Sequence, residues 1–379
     1  MMMDIINSSS LSEQEKSIAS AMLLGWDENI DNETLQKFSN AGISHILCVS
    51  GLHLGIISML IGYCLFFLSN SKKHRIIKGC IRILVLWFFV MITGMAPSAM
   101  RAATMFTLIV IGEMFFERAD IFSNVATSAF ILLLINPNYI YDVGFQLSYS
   151  AVIGIVALKP FLDNFLTIPT PKDWEKWYYN KYGSTSIASK FLIYSWQKIC
   201  NTSHFIASKI LSFAYISFSA QLFTAPFILY YFHQFPVYFL VANVATIPFS
   251  GILLATAILV VISAGKAFTD LFSIEIKGIN YILDWVSKLP SANLSDIYFD
   301  TTMFCLSLLA ILCLMLAIGR RWKPYLFISI GAMIVLLGYA ITISWSSVQQ
   351  SKWIFYDSGK DFAMEIFDGN TSYFVADSS

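Results

Sequence analysis

Residues 44–55 read S-H-I-L-C-V-S-G-L-H-L-G and lie in an apolar run that has no Asp, Glu, Lys or Arg between Lys37 and Lys72. Ser50 and His53 are three apart, a spacing that could pair a nucleophile with its base on one helical face. No carboxylate stands near to orient the imidazole, and residue 48 is Cys where a G-x-S-G elbow needs Gly. A hydrolytic dyad is therefore not expected. His45 and His53 alone are too few to hold a metal. The chain contains neither H-E-x-x-H nor G-x-x-x-x-G-K-[ST], so an intramembrane zinc protease and an ATP motor are not expected of it. No catalytic residue, metal or cofactor is expected.

Binding and lining remain. A polar group at bilayer depth is costly unless it meets a partner or a wet cavity. His45, Ser50 and His53 are thus either lining residues or satisfied packing groups. Gly51 and Gly55 form a small-xxx-small pair that lets another backbone approach. Further along, Arg101 follows a helix break at Gly94 and Pro97. It is either an anchor that snorkels to the interface or a ligand for phosphate or substrate. Gln146 and Ser150 lie four apart on one face, with Ser148 off it. They either bond neighbouring helices or line a polar path. Asn243 and the Pro248 turn mark a second place for such a path.

These residues need elements that hold them in a membrane. The chain of 379 residues is 57% hydrophobic and only 13% charged, about half the charge of a typical soluble protein. Uncharged runs at 83–100, 121–141, 210–265, 301–319 and 324–351 are each about long enough to cross a bilayer or longer. The expected fold is an all-α polytopic membrane protein with about eight transmembrane helices, a re-entrant hairpin and an interfacial helix. Net charge is zero and the six cysteines are scattered without a C-x-x-C. Neither a disulfide framework nor a thiolate metal site is expected.

In chain order, residues 1–44 are polar and acidic, with Ser12 and Glu15 spaced as a capping box and Asp31 placed to cap a second helix that stops at Gly42. This segment is expected to be extracytoplasmic, and the opening M-M-M-D-I-I-N does not suggest a cleavable signal. Residues 45–350 form the membrane domain. Its first span is expected from His45 to Leu68, followed by K-K-H-R-I-I-K-G-C-I-R, whose five Lys or Arg place that loop in the cytoplasm. Residues 159–209 hold seven lysines against three acids, interleaved with Trp174, Trp177, Tyr178, Tyr179 and Trp196. That loop, also cytoplasmic, suits either single-stranded nucleic acid or an interfacial belt beside anionic lipid.

The run 237–265 is too short for two full spans and is broken by I-P-F-S-G. Charge counts on either side require both its ends outside, which predicts a re-entrant hairpin with its tip near 246–251, or else one long helix kinked at Pro248. Residues 268–289 suit a helix lying in the interface. From residue 351 the pattern becomes strand-like, with a D-G-N turn, and is expected to be the start of an extracytoplasmic β segment cut short at Ser379. Both termini are expected outside.

The motif at residues 44–55 resembles the signature of the ComEC competence-protein family. Other elements of that family follow in order: A-M-L-L-G at 21–25, F-S-N-A-G before His45, G-M-A-P-S-A-M-R-A-A-T-M at 94–105, D-V-G-F-Q-L-S-Y-S-A at 142–151, S-A-Q-L-F-T-A-P at 219–226 and A-N-V-A-T-I-P at 242–248. The resemblance implies an inner-membrane channel that admits one DNA strand during natural transformation. His45, Ser50, His53, Arg101, Gln146, Gln221 and Asn243 would then be pathway or core polar residues, and Gly51, Gly55, Pro97 and Pro248 would break helices or let them pack closely. Single-stranded DNA, membrane lipid, a separate DNA receptor and a cytoplasmic motor are the implied partners. Two other readings stay open: a transporter of small solutes or lipid precursors with the same architecture, and a scaffold with no conducting path.

Overall fold

The computed structural model describes residues 2–26, 28–69, 71–115, 120–165, 187–320, 322–349, 351–357, 362–369 and 371–376. Residues 1–298 form one compact unit and 299–379 a second. The first opens with three short helices, α1 (Met2–Ser8), α2 (Glu13–Leu24) and α3 (Asn32–Asn40). Local chemistry sets their limits. The Ser12 hydroxyl accepts from the Glu15 N–H while the Glu15 carboxylate accepts from the Ser12 N–H at 2.9 Å. Asp31 accepts from the Thr34 N–H at 2.8 Å, so both helices have the side-chain caps that free N–H groups need. After α3 the chain turns at Gly42, with φ of 73°. A Cβ there would stand 2.8 Å from Pro236 Cγ, so conformation and contact both require glycine.

The apolar signature folds into a 3₁₀ turn at Ser44–Ile46 and then α4 (Gly51–Cys64). Its 14 residues rise about 21 Å, short of the roughly 30 Å of a bilayer core. The span expected from His45 to Leu68 is corrected at both ends. The physical reason is the extended backbone of Ser50, which places the helix start one residue later, at Gly51. Next come α5 (Lys72–Ile92), which takes up the whole basic cluster, α6 (Pro97–Phe115), α7 (Ile121–Ile135) and α8 (Val143–Phe165). Pro97 occupies the first position of α6, where no N–H is required.

Helix α9 (Ile187–Phe232) begins well inside the stretch expected to be loop. Much of the lysine and aromatic group of that stretch, including Lys172, Trp174, Lys176, Trp177, Tyr178, Tyr179 and Lys181, lies outside the described residues, as does the side chain of Trp196. Gly154 lets α8 close on α9: a Cβ there would stand 2.5 Å from the Ser219 carbonyl oxygen.

Of the two readings of 237–265, the re-entrant hairpin is corrected and the single long helix through Pro248 is the one observed. Residues Phe239–Ile262 form one continuous helix, α10, through Pro248, which is exposed. Proline is tolerated in membrane helices because neighbours and side chains re-satisfy the freed backbone. Pro248 leaves the Val244 carbonyl without its helical donor, while the Thr246 and Ser250 hydroxyls donate close by, to Ala242 O at 2.7 Å and Ile247 O at 2.7 Å. The return of the chain is made by the next helix, α11 (Thr269–Ser287). Strand β1 (Phe235–Pro236) pairs antiparallel with β2 (Asn293–Leu294), and His233 O accepts from the Ile297 N–H at 2.9 Å. The ends that lie together are therefore those of the α10–α11 hairpin, near 236 and 293, and not the two ends of 237–265 that the charge counts place on one side.

A helix does occupy the stretch 268–289 expected to lie in the interface: it is α11, which packs against α10. It buries Phe272, Ile276, Ile279, Leu283 and Val286 in the main core of this unit, shared with α1–α3, α4 and α10. Each such side chain contributes about 1.5–3 kcal/mol where it leaves water. Polar bonds at the same seam add register: Ser273 donates to Glu15 at 2.5 Å and Thr256 to Glu275 at 2.6 Å.

The second unit holds α12 (Thr301–Arg320), α13 (Lys323–Val348) and the antiparallel sheet β3 (Ser351–Asp357), β4 (Phe362–Asp368) and β5 (Thr371–Ala376). Asp300 caps α12 through the Met303 N–H and accepts from Tyr339 at 2.9 Å. Among the described residues six helices are long and apolar enough to cross a membrane: α6, α10, 143–164 of α8, 202–232 of α9, 301–319 of α12 and 323–346 of α13. Helices α4 and α7 are apolar but shorter.

Candidate functional site

Helix α4 meets α6 at the glycines of the signature. A Cβ on Gly51 would touch Ala102 Cβ at 3.5 Å, and one on Gly55 would stand 3.1 Å from Phe106 Cζ. Ser98 donates to Val49 O at 2.6 Å and ties the segment before α4 to the first turn of α6. At the start of α4, the Ser50 N–H donates to His53 Nδ1 at 3.1 Å, with Ser50 Oγ 3.5 Å from the same atom. His53 is fully buried, and its Nε2 has no partner among the described residues. His45 sits in the 3₁₀ turn just before, exposed yet near enough to His53 for the two rings to interact electrostatically.

One turn into α6, Arg101 is only 8% exposed. It is buried rather than extended to the surface as a snorkelling anchor would be. Its Nη1 donates to Asp142 Oδ1 at 3.4 Å, and its Nε is buried with no partner among the described residues. Asp142 serves α8 first, since the same oxygen accepts from the Phe145 N–H at 2.6 Å. Gly144 leaves room for the guanidinium, because a Cβ there would be 3.2 Å from Nη2. Pro97, Met100, Arg101, Leu132, Tyr139 and Phe145 enclose a cavity of about 10 Å³, room for one water-sized group.

The remaining sequence-derived residues are spread along the bundle. Gln146 donates through Nε2 to Ile140 O at 2.8 Å, and its Oε1 is buried without a partner. On α9, Gln221 Nε2 and the hydroxyls of Ser217 and Ser219 are buried and unpartnered. On α10, Asn243 is 7% exposed with Oδ1 unpartnered. Asp142, Ser98 and the Ser128–Tyr149 pair, 3.0 Å apart, were not anticipated. Asp142 carried a usable signal, a lone Asp directly before an apolar helix, which is the pattern of an N-cap. Among the described residues no group of three His, Cys, Asp or Glu is placed to hold a metal ion.

Six apolar helices of spanning length among the described residues define a multi-pass membrane protein. The family described as Competence protein matches residues 22–324, and the chain belongs to that family. It is 25% identical over 325 residues to ComE operon protein 3 of Bacillus subtilis (strain 168), covering 83% of this chain and 36% of that protein. An uncharacterized protein of Aquifex aeolicus (strain VF5) is 27% identical over 151 residues, covering 39% of this chain and 35% of that protein. The chain spans about a third of the length of these curated relatives. No solved structure matches it.

Proposed function

We propose that this chain is a membrane channel that admits one strand of DNA during natural transformation, acting as a conduit rather than an enzyme. It lies in the cytoplasmic membrane with both ends of the chain extracytoplasmic, receives its strand from a separate DNA receptor, and depends on a motor in the cytoplasm. Membership of the competence family supports DNA as the substrate class. The observation that carries the reading within the bundle is a set of buried polar atoms without partners among the described residues: His53 Nε2, Arg101 Nε, Gln146 Oε1, Gln221 Nε2 and Asn243 Oδ1. Buried donors and acceptors are bonded as a rule, so several unmet ones on neighbouring helices point to a passing polar ligand. Gly51, Gly55, Pro97 and Pro248 serve this interior by setting where helices start, bend and close up. The cavity beside Arg101 is too small for a nucleotide, so passage requires α6 and α8 to part.

Uptake of labelled DNA tests the reading, with the wild type compared against Arg101→Ala and His53→Ala at matched membrane abundance. Loss of internalised strand with surface binding intact is expected. Unchanged uptake in both variants would favour a transporter of small solutes or lipid precursors, or a scaffold.

A further inference from the structure

Arg101 has five N–H donors, and among the described residues they share one acceptor, Asp142 Oδ1, at 3.4 Å. That distance is long for a charge-assisted bond, which is ordinarily about 2.7–2.9 Å. The carboxylate is 44% exposed and already committed to the α8 cap, whereas the guanidinium side chain is 9% exposed. A buried cation with a half-engaged counter-ion is under-neutralised. The amino end of α8 adds its own positive dipole to the same spot, and Gly144 keeps the approach to Nη2 free of a side chain.

We propose that Arg101 and the amino end of α8 form a binding site for a phosphate-ester oxygen, and that Asp142 is the counter-ion this oxygen displaces from Arg101. The inference rests on the channel reading and names the recognising group: a phosphodiester of the incoming strand. A phosphate oxygen can reach Nη1 and Nη2 together, as the cap-bound Asp142 does not, and an arginine fork suits that geometry. Asp142 keeps its hydrogen bond to Phe145 throughout, so α8 stays capped while the ion pair opens.

The test uses the full chain in lipid nanodiscs and a short fluorescein-labelled single-stranded oligonucleotide, read by anisotropy. Asp142→Asn preserves the cap, since Asn is an equally good N-cap, and removes the competing charge. It should tighten binding by about two- to fivefold, the scale of a partly exposed ion pair. Arg101→Gln should weaken binding, lower the salt slope by about 0.7 and cancel the gain from Asp142→Asn. An oligonucleotide with a neutral methylphosphonate backbone should not respond to either change. Weaker binding by Asp142→Asn would make the pair a structural bond and overturn the proposal. So would wild-type binding that neither substitution alters, although the channel reading would survive that result. Absence of oligonucleotide binding by the wild type would overturn both. A phosphatidylglycerol molecule retained in native mass spectra through Arg101, with oligonucleotide binding unaffected, would assign the site to a lipid headgroup instead.

Discussion

The Ser50 N–H donates to His53 Nδ1, and this bond fixes the single imidazole proton on Nε2. An imidazolium would present a second N–H where the Ser50 donor already points, so the cap of α4 holds only with a neutral ring. Gln at the same position keeps the capping-box pattern. His53→Gln is therefore expected to retain the thermal stability of the wild type in detergent. His53→Ala should lose about 1 kcal/mol for the bond and more for the cavity left behind. Equal melting temperatures for the two variants would show that the bond does not hold the helix start.

Glycines at helix crossings differ from glycines in open space. Gly154→Ala forces a methyl group against the Ser219 carbonyl, which is backbone and cannot swing away. Destabilisation of about 1–3 kcal/mol is expected. Gly278→Ala meets nothing within 4 Å and should stabilise α11 by up to about 1 kcal/mol. Melting curves of the pair in one detergent check both signs.

Glu15 links the N-terminal cap to α11. Burial pushes its carboxyl up, but hydrogen bonds from Ser273 and Ser12, with Lys277 nearby, outweigh that and hold it below its ordinary 4.5. A folded value below the unfolded one means that the unfolded chain binds the extra proton first. The stability Glu15 gives is complete above the ordinary carboxylate range and is lost as pH falls through 4.5 toward the folded value. Melting temperature measured from about pH 7 down to about pH 3 should decline less steeply in Glu15→Gln than in the wild type. Parallel declines would remove Glu15 from the account.

The paired ends of the α10–α11 hairpin set a topology. Single cysteines at Val237 and Ser295, in a background free of other cysteines, should react with a membrane-impermeant maleimide from the same side. Labelling from opposite sides would exclude the β1–β2 pairing.

The parts legible in the sequence were those set by short-range chemistry. The Ser12–Glu15 box and the Asp31 cap needed only residues three apart, and the amphipathic pattern of α11 was visible in its own period. What escaped notice depended on distant partners. Run length left a re-entrant hairpin and a single helix through Pro248 both open, and the helix is selected only in three dimensions, where α11 packs along it. The bond between Arg101 and Asp142 joins two helices 41 positions apart, so no local pattern announced it. The length of α4 was overestimated because an apolar run says nothing of where extended backbone interrupts it.

The ribbon of β1 and β2 also has a mechanical consequence. It fastens the chain from Pro236 to Asn293 into a ring closed at its waist. The ring gives α10 and α11 a common fixed end beside the close of α9, and the Ser273–Glu15 bond ties α2 to the same pair.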